Sequence, residues 1–337
     1  MSVRKVHFRL SLLLGYLLPF VLLAAVYASA PIKFAVLGDM PYRNEDIAGY
    51  EKLIDRINQE KPDWVVYVGD TKNGSTSCAN EAYMPIIRWF DRYTPPLIYT
   101  PGDNEWTDCH RITAGRFDPN ERLKWVRTEF FQKPHGWAKS LKTTAQRPPL
   151  IENQYWFREG VMFATLHVVG SQNHFSEDHS PNSEWAVRNN NNLNWLKWIF
   201  FEAKNKQSPM IVLFWHGDPL FESPAKDRPG YQALIEVLTK QVRDFPGDVV
   251  LIHGDRHRFV IDKPLPLQDF TRVITYGDRD LFALLFRLNQ AQGTLEISPL
   301  GGQEKYNSKT IKNKTIKLHS FKHSKDRISK KVSSHAF

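Results

Sequence analysis

Five short apolar runs, each leading into a turn that carries an acid or a histidine, constrain this chain more than any other feature. Phe34-Ala35-Val36-Leu37 leads to Gly38-Asp39, and Val65-Val66-Tyr67-Val68 to Gly69-Asp70. Leu97-Ile98-Tyr99 leads to Pro101-Gly102-Asp103-Asn104-Glu105, Ile211-Val212-Leu213-Phe214 to His216-Gly217-Asp218, and Val249-Val250-Leu251-Ile252 to His253-Gly254-Asp255-Arg256-His257. Runs of this length bounded by Gly, Pro or Asp read as buried strands. Helical spacing lies between them, at Ile47, Tyr50, Leu53, Ile54 and Ile57, and again at Leu193, Leu196, Ile199 and Phe200. Residues 271–276, 281–288 and 293–298 then read as successive strands. The fold class is therefore α/β, a two-sheet β-sandwich flanked by helices. In α/β sheets the loops after the strands converge at one end. A single Gly-Asp is an ordinary strand-to-turn junction, but five acid- or histidine-bearing junctions in succession point to one metal-ligating site.

Composition excludes some alternatives. The chain of 337 residues is 42% hydrophobic and has ten tryptophans, enough for a large core and too much for a disordered chain. One apolar stretch, Leu10 to Tyr27, approaches the length of a membrane span, so a multi-span protein is excluded. The net charge of +9 sits at the ends: +3 in residues 1–30 and +8 in 303–337, which leaves the body at −2. Basicity therefore says nothing about what the body binds. Arg4, Lys5 and Arg9, the apolar stretch and Ala28-Ser29-Ala30 read as a signal peptide over 1–30, with export to a periplasmic or secreted location. The alternative is an uncleaved membrane anchor. Residues 31–302 form the domain, and 303–337 read as a basic, solvated tail able to contact an anionic surface, lipid or polymer.

The motif order resembles that of the calcineurin-like metallophosphoesterases, the superfamily that includes purple acid phosphatases. Their pattern runs Asp-x-His, Gly-Asp, Gly-Asn-His-Asp/Glu, a lone His, then Gly-His-x-His. Here the places hold Asp39-Met40-Pro41, Gly69-Asp70, Gly102-Asp103-Asn104-Glu105, His216 and Gly254-Asp255-Arg256-His257. The tyrosine that purple acid phosphatases carry three residues after the second aspartate is Asn73 here. With its Gly-Asp-Asn-Glu-Trp third motif the chain resembles a divergent exported bacterial branch of the family.

The resemblance implies a phosphoesterase with two metal ions. Asp70 bridges them, Asp39 and His257 hold the first, and Asp103, His216 and Asp255 hold the second. The oxygen-rich donors favour manganese or iron, with zinc or magnesium possible. A metal-bridging water or hydroxide attacks a phosphate mono- or diester in line. The family's leaving-group histidine is Asn104, which can hydrogen-bond a phosphoryl oxygen but cannot donate a proton as an acid. His253, His110 and Glu105 are candidate replacement acids, and Arg256 and Lys72 candidate phosphate partners. Asn173 and His174 are placed to line the pocket. The alternative is a weak or inactive member that binds a phosphorylated ligand or polyanion.

Cys78 and Cys109 are the two cysteines. They follow the acids of adjacent motifs in a chain expected outside the cytoplasm, so they are expected to form a disulfide between two loops of one rim.

Overall fold

A computed structural model describes residues 30–175, 180, 183–301 and 312–321. The signal region falls outside these apart from Ala30. Among the described residues no helix is long and apolar enough to cross a membrane.

The first sheet contains β1 (Ile32–Leu37), β2 (Trp64–Tyr67), β3 (Leu97–Tyr99), β11 (Phe282–Asn289), β12 (Thr294–Gly301) and β13 (Lys314–Lys317). Its order is β13-β12-β11-β1-β2-β3, with β1, β2 and β3 mutually parallel and the late strands antiparallel. The second sheet contains β4 (Thr144–Ala145), β5 (Gln154–Arg158), β6 (Val161–Thr165), β7 (Met210–Trp215), β8 (Asp248–His253), β9 (Val260–Asp262) and β10 (Phe270–Ile274). Its order is β4-β5-β6-β7-β8-β10-β9, with β6, β7, β8 and β10 parallel.

Both faces of the central strands are buried, which is why the runs are continuously apolar rather than alternating. On β1, Phe34 and Val36 enter the layer between the sheets, while Ala35 and Leu37 face outward. Phe34 lies stacked between Trp64 and Phe286, with ring centroids 5.5 and 4.7 Å away. Helices α1 (Ile47–Glu60) and α2 (Asn80–Phe90) cover the first sheet, and α3 (Pro119–Val126) follows its third strand. Helices α4 (Glu184–Asn205) and α5 (Gln232–Arg243) cover the second sheet. The expected sandwich with outer helices is the observed one.

Two regions differ from the sequence reading. The hairpin β5–β6, which lies between the edge strand β4 and β7 in the second sheet, was not anticipated. The basic segment also contains structure: β13 pairs with β12, and Leu318 and Phe321 enter the inter-sheet core. Asp248 accepts hydrogen bonds from the Ser320 backbone N–H at 2.9 Å and the His319 backbone N–H at 3.2 Å. Residues 312–321 are thus part of the domain rather than a solvated tail. Lysine on an exposed edge strand discourages pairing with another chain, so Lys314 and Lys317 suit this position. The rest of the basic segment lies outside the described residues.

Candidate metal centre

The acids emerge where β1, β2 and β3 of one sheet and β7 and β8 of the other end together. Four residues at these corners adopt left-handed backbone: Asp39 (φ 58°), Asp70 (φ 55°), Asp255 (φ 71°) and His257 (φ 54°). Such conformations are uncommon outside glycine and concentrate at functional sites. The neighbouring glycines supply room as well as turns. A Cβ on Gly102 would lie 2.1 Å from Asp70 Oδ1, and one on Gly254 would lie 2.4 Å from Asp39 Oδ2.

Donor atoms of Asp39, Asp70 and His216 lie within 4.8 Å of one another, as do those of Asp103, His216 and Asp255. His216 Nε2 stands 3.0 Å from Asp103 Oδ1, 3.4 Å from Asp70 Oδ1 and 3.9 Å from Asp255 Oδ1. Its Nδ1 donates to the Val68 carbonyl at 2.8 Å, which leaves Nε2 as the atom facing the acids. His257 Nε2 lies 3.1 Å from Asp39 Oδ1. The structure therefore brings Asp39, Asp70, Asp103, His216, Asp255 and His257 into one cluster.

Asp70 faces both ways. Its Oδ1 accepts the Asn104 backbone N–H at 3.0 Å, and its Oδ2 accepts the Asn104 side-chain amide at 2.6 Å. The same amide donates to the Lys72 carbonyl at 3.0 Å. Both amide protons are thus engaged, and Asn104 fixes Asp70 rather than presenting a free donor to a phosphoryl group. Glu105 is a clamp as well. Its carboxylate accepts the Gly102 N–H at 2.8 Å, the Asp70 N–H at 3.2 Å, the Thr71 hydroxyl at 2.6 Å and the Thr71 N–H.

His253 is fully buried, with Nδ1 donating to the Gly254 carbonyl at 2.9 Å. Burial, aided by the nearby Arg272, pushes its pKa down to about 3, so the neutral ring has no proton to give at Nε2. That removes it as the general acid. His110 is exposed and its Nδ1 contacts the Thr107 carbonyl at 2.6 Å. Arg256 turns to Asp218 at 3.3 Å and Glu222 at 3.9 Å. Lys72 is buried and donates to the Thr76 carbonyl at 3.1 Å, so its amine is directed into the loop. Asn173 is likewise occupied, by Gly230 and Arg188, and His174 by Glu184.

Two neighbours were missed. The Tyr42 hydroxyl donates to Asp70 Oδ2 at 2.9 Å and lies 3.3 Å from His257 Nε2 and 3.4 Å from Asp39 Oδ1. Ser171 donates to Asp103 Oδ2 at 2.9 Å, from a run of left-handed residues at 171–174. The signal for Tyr42 was the lost histidine of the first motif, one position before it. Nothing in the sequence flagged Ser171.

The donors fit metal ions. Side chains of Asp39, Asp70 and Asp103 are at most 9% exposed, and among the described residues the basic side chains that form ion pairs with the four acids are histidines. Burial raises Asp70 well above the carboxylate range, an effect opposed by His216 and reinforced by Asp103, Glu105 and Asp39. Burial likewise raises Asp255, to about 6. Burial disfavours a charged His216, yet Asp70, Asp103, Asp39 and Asp255 together push it well above its ordinary value. Buried like charges of this kind call for cations. Access is from the side of Asp255 and His257, whose side chains are 28% and 35% exposed.

The profile of the calcineurin-like phosphoesterases matches residues 32–259. This chain belongs to that family. It is accordingly a metal-dependent phosphoric ester hydrolase by family. Solved structures with a similar fold include GAP50, described as the anchor in the inner membrane complex of Plasmodium, with 13% identity, 86% of this chain and 90% of that chain covered, and a TM-score of 0.56. A dimetal phosphatase from Danio rerio matches at 13% identity over 85% of this chain and 99% of its own, with a TM-score of 0.53. The purple acid phosphatase of yellow lupin matches at 12% identity over 86% of this chain and 54% of its own, with a TM-score of 0.52. No curated protein matches the chain in sequence.

The disulfide between Cys78 and Cys109 is present, with Cα atoms 5.6 Å apart across a sequence separation of 31. It joins the loops after β2 and β3 beside the Asn104 carbonyl.

Proposed function

We propose that the chain is an exported hydrolase of phosphate mono- or diesters with a dinuclear centre. The observation that carries this reading is the meeting of four aspartates and two histidines, with no lysine or arginine counter-ion among the described residues. Asp39 and His257 would hold one ion, Asp103, His216 and Asp255 the other, and Asp70 both. The oxygen-rich set favours manganese or iron. When bound, two such ions supply an activated water for in-line attack and neutralise charge on the phosphoryl oxygens.

The remaining residues have positioning roles. Asn104 holds both oxygens of Asp70, and the Val68 carbonyl sets the His216 tautomer. The Asp218 backbone N–H donates to Asp255 Oδ2 at 2.8 Å and orients that acid. The leaving group lacks help from His253, Glu105 or Asn104. General acid catalysis contributes ~10²–10⁴ in rate, so esters with good leaving groups suit the site best. Export is supported by the character of residues 1–30 and by a disulfide that persists in an oxidising compartment. The fold by itself does not decide for catalysis, since one similar structure is described as an anchor; the donor set supports the catalytic reading.

The test combines metal analysis with hydrolysis of nitrophenyl phosphate, bis-nitrophenyl phosphate and an alkyl phosphate under manganese, iron, zinc or magnesium. An aryl ester should be cleaved at least ~10²-fold faster than its alkyl counterpart. Protein that binds none of these metals and cleaves none of these esters would end the reading. Mass spectrometry of chain recovered from its native compartment should show an N-terminus at Pro31, and an intact chain there would favour the anchor.

A further inference from the structure

We propose that a basic, aromatic surface beside the edge strand β4 binds single-stranded nucleic acid. It is separate from the metal centre, since no residue of the donor cluster lines it. Charge is the first observation. The body carries −2 overall, yet residues 131–158 hold Lys133, Lys139, Lys142, Arg147 and Arg158 against the single acid Glu152. All five cationic residues are exposed, whereas Glu152 is fully buried and already bonded to Arg127 and His167. Lys133 has Glu129 at 2.5 Å, and Arg158 has Asp63 at 3.6 Å and Glu159 at 3.9 Å. Among the described residues Lys139 and Lys142 form no ion pair.

Shape is the second observation. Two cavities, of about 690 and 450 Å³, adjoin at Lys142, which lines both. Thr143 and Ala145 line the first and Thr144 the second, so the cavities lie on either side of β4. Neither is lined by an aspartate or glutamate among the described residues. Rings complete the pattern. The first cavity has Phe131 together with His135 and Trp137, stacked in parallel with centroids 4.0 Å apart. The second has Tyr155 and Phe157, with Lys206 Nζ 5.3 Å from the Phe157 ring centre. These rings are half-buried, which leaves part of each open to a ligand. Cations interleaved with rings hold an unpaired strand, because the cations follow its phosphates while the bases stack. A flexible strand can cross β4 from one cavity to the other, whereas a duplex keeps its bases paired and stacked. The surface is also fixed in advance. The Trp137 carbonyl accepts the Leu97 N–H of β3 at 2.9 Å, and Trp137 Nε1 donates to Asp91 Oδ1 at 2.7 Å. A bilayer fits less well, since it selects protruding apolar side chains. Among the described residues the exposed large ones are Ile112 and Phe201, and they line neither cavity.

The full chain, kept in chelator, is titrated by fluorescence anisotropy with a labelled oligothymidylate of about ten nucleotides, and separately with inorganic polyphosphate and with phosphatidylglycerol vesicles. The strand should bind with an affinity that falls as salt rises. Lys139→Glu combined with Lys142→Glu should weaken it at least ~10-fold and flatten the salt slope by about 1–2. His135→Ala should weaken strand binding at least ~5-fold and leave polyphosphate binding unchanged. Irradiation of wild type with a bromouracil-containing strand, read by mass spectrometry, should place adducts within residues 131–158, and it needs no variant to fold. Absence of strand binding, variants that bind as wild type does, or adducts confined to residues 303–337 overturns the proposal. A His135→Ala chain that loses strand and polyphosphate equally overturns it too. Vesicle binding that the lysine changes abolish while strand binding persists would reassign the surface to lipid. Metal content and hydrolysis enter none of these readouts, so the dinuclear reading stands or falls separately.

Discussion

Two of the buried groups of acids among the described residues are built on opposite plans. Beside the rim, Glu152 receives two hydrogen bonds to Oε1 from Arg127, at 2.6 and 3.0 Å, and one from His167 at 2.7 Å. Glu184 receives Arg188 at 2.6 and 3.1 Å and contacts His174 at 3.0 Å. Each acid has its own guanidinium. Burial opposes their ionisation, but His167 and Arg127 hold Glu152 at about 2, and Arg188 with His174 does the same for Glu184. At the strand ends the direction reverses: Asp70 stands well above the carboxylate range and Asp255 reaches about 6, both through burial. Burial of acids is therefore a poor sign of function. Missing counter-charge is a better one.

The contrast is broken most forcefully at Asp70. Asp70→Asn should reduce bound metal at both positions and lower hydrolysis by more than ~10³-fold, equivalent to several kcal/mol of lost charge stabilisation. The metal-free variant should unfold at the same temperature as wild type or higher, because a buried like charge has gone. A variant that keeps full metal content and rate would refute the bridging role. Glu152→Gln should act in the opposite manner. It leaves Arg127 without its partner and should cost about 3–5 kcal/mol of stability in denaturant unfolding, with metal content in the folded fraction unchanged. Metal loss there at constant stability would merge the two clusters into one site.

The disulfide sharpens the comparison because it lies on the metal side. Replacing Cys78 and Cys109 by serine should cost roughly 3–4 kcal/mol in the chain-entropy model and weaken metal binding as the ligand loops loosen. Unfolding curves and metal titrations check both; oxidised, denatured wild type should show no free thiol.

The smallest effect is on pH dependence. Asp255 has a higher pKa folded than its ordinary 3.8, so its stabilising contribution is complete below that value and is lost as pH rises through about 6. At 1.36 kcal/mol per pKa unit this is on the order of 3 kcal/mol. Glu152 has the opposite sign: its contribution is complete above 4.5 and lost as pH falls through about 2. Metal-free protein should thus lose thermal stability between about pH 4 and 7, and saturating manganese should abolish the decline. A flat metal-free profile would show that burial does not raise Asp255 in the folded chain.

The sequence was legible where short range and chemistry coincide. Asp39, Asp70, Asp103 and Asp255 could be read because each sits at the end of an apolar run, and His216 and His257 because they fall in the same turns. Tyr42 escaped because a Pro-Tyr-Arg turn has no spacing signature; its role depends on Asp70 and His257, 28 and 215 residues away. The balanced cluster escaped for the same reason, as Glu152 meets Arg127 and His167 across 25 and 15 residues. β13 was hidden by its lysines, since its few apolar residues gain meaning from the open edge of β12. The proton-donor roles of His253 and Glu105 failed because motif adjacency says nothing about burial or about which backbone groups a carboxylate already serves.

The left-handed corners also limit how this centre can drift over generations. Asp39, Asp70, Asp255 and His257 must satisfy a backbone shape as well as a metal. Asn, Asp, His and Gly tolerate that shape better than other residues, and three of those four carry donor atoms. Ligand exchange among aspartate, asparagine and histidine is therefore conformationally cheap at these corners. Glutamate or cysteine would need the turn to be rebuilt first. The metal preference of such a centre can thus be retuned one residue at a time while the scaffold stays still.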